Sequence, residues 1–183
     1  MSPRVDGKPR QANFFNICRE CPNGCCTRAR PPLTSRRRHI IQEFIGRKHI
    51  DIDNPFQNGK YVFPRATKDG RCIFLDRVTR RCKIHPVKPE TCVAGPVTSD
   101  INPKTGKIEW FLKTDRTCRL AAPLYKDSTA YARHLRCAKH EIRHLIFGLD
   151  AEALHAILTI EERDTIKVDE DRVPPRLLSR LKL

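Results

Sequence analysis

Three cysteines, Cys72, Cys82 and Cys92, recur at ten-residue steps. The segment they span also carries Arg77, Arg80, Arg81, Lys83 and Lys88, and is too short and too charged to build a core of its own. An upstream knot, Cys18-Arg-Glu-Cys21-Pro-Asn-Gly-Cys25-Cys26, brings the two segments to seven of the nine cysteines. In a C-x2-C pair the intervening turn brings both sulfurs to one side, where they can share an ion. Pro22 and Gly24 favour such turning. Adjacent cysteines suit a single tetrahedral site poorly, because successive side chains diverge. Cys25-Cys26 suits two neighbouring metals, or one ligand with a supporting thiol.

Nine cysteines in 183 residues are about 5% of the chain, below the ~8–10% that marks a disulfide scaffold. Residues 1–16 hold no apolar stretch of signal-peptide length, and no window approaches the ~18–20 apolar residues of a membrane span. The expectation is a soluble cytoplasmic protein with no membrane partner, whose clustered thiols are metal ligands rather than disulfides. Thiolate sulfur selects zinc or iron–sulfur clusters over calcium and magnesium. Cys18, Cys21, Cys25, Cys26, Cys72, Cys82, Cys92 and Cys118 are enough for two four-thiolate sites. The Cys-Cys pair and the dispersed spacing depart from zinc ribbons built on two C-x2-C knuckles. An iron–sulfur cluster is therefore the favoured cofactor and zinc the alternative.

The net charge of +15 points separately to an anionic partner, an acidic protein or nucleic acid. Some of that charge has a second use, since cations around thiolate-bound metal offset its negative charge.

In chain order, residues 1–13 read as a disordered basic tail. Phe14, Phe15 and Ile17 anchor the first knot. Thr34 or Ser35 caps a helix over 36–48 with Ile40, Ile41, Phe44 and Ile45 as its stripe, and Arg36-Arg37-Arg38 opens it against the helix dipole. Residues 49–58 read as loop. Strands are expected at 61–63 and 72–75, joined through Lys68-Asp69-Gly70, and a hairpin pairs 93–99 with 107–113. A long helix spans 128–147 on the stripe Tyr131, Leu135, Ala138, Ile142 and Leu145, and Asp150 caps a further helix over 151–163. Residues 165–183 read as a charged linker and basic tail.

Outside the main set, His85 is a candidate ligand, a donor to a sulfur, or a loop residue ahead of Pro86. On the long helix His134, Cys137, His140, Glu141 and His144 form either a third metal site or a solvated polar face, with Cys137 a half-buried structural thiol. A Gly-rich nucleotide loop, a G-x-S-x-G elbow and an H-E-x-x-H helix are not expected, and neither kinase nor hydrolase chemistry is.

The pattern resembles the YkgJ family of CxxCxxCC-domain proteins, whose description names zinc or iron chelation. The match runs through Cys18, Cys21, Cys25 and Cys26, then Gly70-Arg-Cys72-Ile-Phe-Leu75 and Cys82-Lys-Ile-His85-Pro-Val-Lys88-Pro-Glu-Thr-Cys92, and extends to Cys118. Departures are the three residues between Cys21 and Cys25 where the family has two, His85 where Tyr is common, and Lys88 where Arg is common. The resemblance implies a metal or iron–sulfur site. A bacterial flagellin lysine methylase shares a signature of this general type, which keeps a protein-modifying enzyme among the readings.

The expected architecture is α+β: a small, irregular, cysteine-rich metal-bound domain over 14–125 with short strands and hairpins, a helical extension over 126–164 packed on it, and the tail over 165–183. The expected function is metal binding by iron–sulfur clusters in a redox or metal-handling role. The alternatives are a zinc-stabilised basic module for an anionic partner and the enzyme just named.

Overall fold

A computed structural model describes residues 14–21, 24–27, 29–160, 162 and 164–181. The tail expected over 1–13 lies outside the described residues, as do Pro22 and Asn23 of the first knot. The architecture is α+β with small antiparallel sheets, as the sequence pattern implies.

The larger core forms where strand alternation meets the long helix. β3 (Val97–Asn102) and β4 (Lys107–Lys113) make the expected hairpin, and Ile108, Trp110 and Leu112 turn inward while Glu109, Phe111 and Lys113 lie on the other face. Helix α5 (Ser128–Gly148) begins at the Asp127 cap, whose carboxylate accepts from the Ala130 N–H at 2.9 Å. It buries Ala138, Ile142, Leu145 and Ile146 in the core that β3 and β4 line. Leu154 on α6 (Ala151–Leu158) and Leu177 on α7 (Pro175–Leu181) are fully buried in the same core. Each such side chain contributes about 1.5–3 kcal/mol on leaving water.

The stretch read as a charged linker is a strand. β5 (Thr165–Arg172) pairs antiparallel with β4, giving the order β3-β4-β5. Its sequence looks like linker because ion pairs, rather than a continuous apolar face, hold much of it. Lys167 meets Glu109 at 2.7 Å, Asp169 takes Lys139 at 2.6 Å, and Asp171 takes Arg143 at 2.9 Å. Asp171 also accepts from the Trp110 indole N–H at 2.6 Å.

The smaller core gathers Leu33, Ile41, Phe44, Phe74 and Ile84. Helix α2 (Ser35–Arg47) follows the expected cap, with the Thr34 hydroxyl accepting from the Arg37 N–H at 3.0 Å. Here the sheet departs from expectation. β1 (Phe56–Asn58), inside the presumed loop, is the partner of β2 (Val62–Pro64). Residues 72–75 are not a strand but a tight turn closed by Leu75 N–H to Cys72 C=O at 3.0 Å, with only single bridges from Cys72 to Ala66 and from Leu75 to Cys82. Burial of Phe74 in the core fixes that turn more strongly than β propensity does.

Besides α7, which falls in the expected tail, three short helices also lie outside the expected pattern. They are α1 (Phe14–Glu20), α3 (Glu90–Ala94) and α4 (Ala121–Lys126). α3 replaces the start of the expected strand at Val93, because Pro89 and Glu90 favour a helix start and Pro96 stops it. His134 on α5 sits at 2.9 Å from the Ala94 carbonyl; since a carbonyl only accepts, Nε2 carries the proton. The long helix thus holds α3, and with it Cys92, against the larger core. Among the described residues no helix is long and apolar enough to cross a membrane.

Candidate metal centre

The upstream knot and the central segment are laced together through their backbones. Cys18 lies in the last turn of α1, its carbonyl accepting from the Cys21 N–H at 3.4 Å, and the Thr27 N–H returns to Gly24 C=O at 2.8 Å, turning the chain at Cys25-Cys26. The Cys72 N–H then donates to Cys26 C=O at 2.7 Å, and Thr27 forms a bridge to Arg71. Arg80 reaches across to the Cys21 carbonyl at 3.1 Å.

A repeated local unit aims backbone donors at sulfur. In Cys72-Ile-Phe74, Cys82-Lys-Ile84 and Cys118-Arg-Leu120 the N–H two residues on points to the cysteine sulfur and favours its thiolate. Phe74 and Ile84 are 1% and 0% exposed, so core packing fixes the two donors in the central segment. Hydrogen bonds of this kind tune both the charge and the potential of metal-bound sulfur. The Cys-x-apolar repeat is written in the sequence, and it is a signal that spacing between cysteines alone does not reveal.

The eight thiols sort into two neighbourhoods. Cys18 feels Cys118, Cys25 and Cys21, and Cys118 in turn feels Cys25 and Cys21. Cys92 feels Cys26, Cys72 and Cys82, and Cys26 feels Cys72, Cys82 and its chain neighbour Cys25. Burial, reinforced by neighbouring sulfurs, pushes the Cys26 thiol up to about 12. Burial likewise pushes Cys72 up to about 11, against the Phe74 N–H, and raises Cys92, Cys82, Cys18 and Cys118. Without a cation these groups resist ionising together, and a bound metal reverses that balance by stabilising thiolate. Lys88 already acts in the metal's direction, lowering Cys18, Cys26, Cys82 and Cys92 across both neighbourhoods. Among the described residues the cysteines are free thiols, and no three ligand-type side chains are drawn into a finished coordination shell. What the fold supplies is the backbone lacing that brings the upstream knot to the central segment.

A charged knot supports Lys88 and α3 from behind. Arg37, in the triplet that opens α2, donates to the Lys88 carbonyl at 3.0 Å and to the Glu141 carboxylate, and lies 3.8 Å from Glu90. Glu90 is 2% exposed; the Thr34 hydroxyl donates to it at 2.6 Å, and its other oxygen has no partner among the described residues. Burial raises its carboxyl, opposed by Thr34 and Arg37. Through Arg37 the basic triplet therefore meets the buried Glu90 and the partly buried Glu141.

Of the remaining candidates, His85 is exposed, and burial and Lys88 together lower its imidazole. His134 is the α3 anchor described above. Cys137 is exposed rather than half-buried, and His140 and His144 lie side by side on the surface of α5 with ring centroids 4.4 Å apart. Their sequence signal is stronger than a polar stripe: His140-Glu141-Ile142-Arg143-His144 has the H-E-x-x-H form, which the expectation against hydrolase chemistry overlooks.

Comparison with known proteins agrees with this geometry in extent. A family model described as "Putative zinc- or iron-chelating domain", CxxCxxCC, matches residues 17–119, a span that holds both thiol neighbourhoods. An uncharacterized protein of Methanocaldococcus jannaschii is 31% identical over 104 residues, covering 53% of this chain and 53% of that protein, so the chain spans about half the length of this curated relative. No solved structure matches the chain. With more than half of its length under the family model, the chain belongs to the CxxCxxCC family of zinc- or iron-chelating domains.

Proposed function

We propose that the chain carries two iron–sulfur clusters and serves in electron transfer or metal handling. The observation that supports this reading is the gathering of mutually perturbing thiols across the upstream knot, the central segment and Cys118, which we divide between Cys25 and Cys26. One set is Cys18, Cys21, Cys25 and Cys118; the other is Cys26, Cys72, Cys82 and Cys92. The donors are all sulfur, which suits an iron–sulfur cluster or zinc and disfavours hard cations. A bound cluster would supply one-electron redox chemistry.

The chain's own part is to hold and tune. The N–H groups of Phe74, Ile84 and Leu120 would stabilise sulfur charge, and Lys88 would offset the negative charge of both sets. The sets differ in access. Cys18 and Cys25 of the outer set are exposed, whereas Cys21 and Cys118 and all four of the inner set are half-buried. That asymmetry suits an outer centre that exchanges electrons or metal and an inner one linked to it through a single peptide bond. A reducing, cytoplasmic setting would keep the thiols available.

The test is the absorption spectrum of anaerobically purified protein before and after chemical reduction. A brown protein that bleaches and recovers supports the reading; a colourless protein overturns it.

A second reading, binding of an anionic partner, rests on the tip at Arg77–Arg81. Val78 is 93% exposed there among Arg77, Arg80 and Arg81, on a turn fixed by Asp76 accepting from Thr79 N–H and hydroxyl, each at 2.7 Å. Such a partner is an acidic protein or nucleic acid, and its affinity would fall with salt. Binding that is indifferent to salt and to Arg80→Glu would count against it.

A further inference from the structure

Helix α5 presents ligand chemistry that the cysteine centres do not use. His140 and His144, four residues apart, fall on one face of a continuous helix, and their rings lie 4.4 Å apart and tilted by 47°. Ile142 and Leu145 are buried in the core, so the rotation of the helix is fixed and the two imidazoles stay outward. The His140 side chain is 67% exposed and His144 is exposed as well, leaving room for an ion with its waters.

The motif's third residue behaves differently. In zinc hydrolases of the H-E-x-x-H type the glutamate must be free to take a proton from metal-bound water. Here the Glu141 carboxylate is engaged by Arg37, and its side chain is 17% exposed. The fold keeps the binding half of the motif and occupies the catalytic half with a structural ion pair.

We propose that His140 and His144 form a divalent-cation site separate from the cysteine centres. It would take an ion of the zinc and nickel class through two imidazoles, with water completing its coordination. Imidazole suits these ions, whereas calcium and magnesium demand oxygen. Cys137 lies one turn earlier on the same face, but among the described residues no three such groups converge, so the site is assigned two protein ligands. Two ligands make a weaker, exchangeable site, unlike a four-thiolate centre.

The experiment is equilibrium dialysis of untagged, full-length protein, with its cysteine centres filled, against nickel. The expected result is one additional nickel per chain. His140→Ala and His144→Ala should each weaken its binding by at least the roughly 10-fold that losing a mere supporting contact costs at metal sites. His155→Ala and Cys137→Ser should leave it unchanged. Both histidines are exposed, so these substitutions spare the fold. Absence of the extra equivalent, equal binding by the two alanine variants, or a comparable loss in Cys137→Ser would overturn the assignment. Zinc-dependent cleavage of casein that disappears in Glu141→Gln would overturn its non-catalytic character. Because the cysteine centres are filled beforehand, with zinc or with clusters, neither outcome depends on which of these they hold.

Discussion

The Cys72 N–H donates to the Cys26 carbonyl at 2.7 Å, tying Cys26 to the central segment, while the proposed division groups Cys25, one residue earlier, with Cys18 and Cys118. The divergence of successive side chains, awkward for one tetrahedral site, becomes the means of dividing two. Cys25→Ser should therefore lose the metal of the outer set and keep the inner, and Cys26→Ser should do the reverse. Native mass spectrometry reads this directly as one lost metal mass in each variant. Complete loss in both would mean that the thiols form one centre.

Arg37 should be hard to replace. Its guanidinium joins the Lys88 carbonyl, Glu141 and the neighbourhood of buried Glu90. Arg37→Ala leaves Glu90 without its cation, and breaking a buried pair costs about 3–5 kcal/mol. Arg37→Lys should recover little, because an ammonium lacks the fork that reaches these partners together. Urea unfolding of the metal-loaded protein measures both losses, and a lysine variant of wild-type stability would contradict the geometry.

Gly148 ends α5 against α2. A Cβ placed there would lie 2.6 Å from Thr34 Cγ2 and 3.2 Å from Thr34 Cβ. Thr34 cannot retreat freely, since it caps α2 and donates to Glu90. Gly148→Ala, which helix propensity alone would make stabilising, should instead cost about 1–3 kcal/mol through overpacking. A higher melting temperature in this variant would show that the contact relaxes.

His134 should make stability depend on pH. Burial holds its imidazole below the ordinary value of 6.5 while Nε2 donates to Ala94. Between the folded and unfolded values the unfolded chain binds more protons, so stability is present above pH 6.5 and is lost as pH falls below it. Denaturant unfolding of His134→Gln at about pH 7.5 and about pH 5.5 should show a smaller drop than wild type. Parallel drops in the two proteins would remove His134 as the source.

Much of this fold is legible where one periodicity dominates. The stripe Ala138, Ile142, Leu145 foretells α5, and Ile108, Trp110, Leu112 foretell β4, because each buries against the larger core. β5 is obscured because Lys167, Asp169 and Asp171 are held by partners distant in sequence. The turn at Cys72–Leu75 is obscured because its β-prone residues serve a core contact and a donor to sulfur instead. Cysteine spacing marks which residues form the candidate centre but not how they divide, since the division depends on backbone bonds such as Cys72 N–H to Cys26 C=O.

Whether these thiols hold iron–sulfur clusters is decided by iron, acid-labile sulfide and zinc analysis of anaerobically purified protein. The expected result is iron matched by sulfide, with little zinc, in amounts that fit two centres per chain. Stoichiometric zinc without sulfide would contradict it, and so would a protein that holds neither metal.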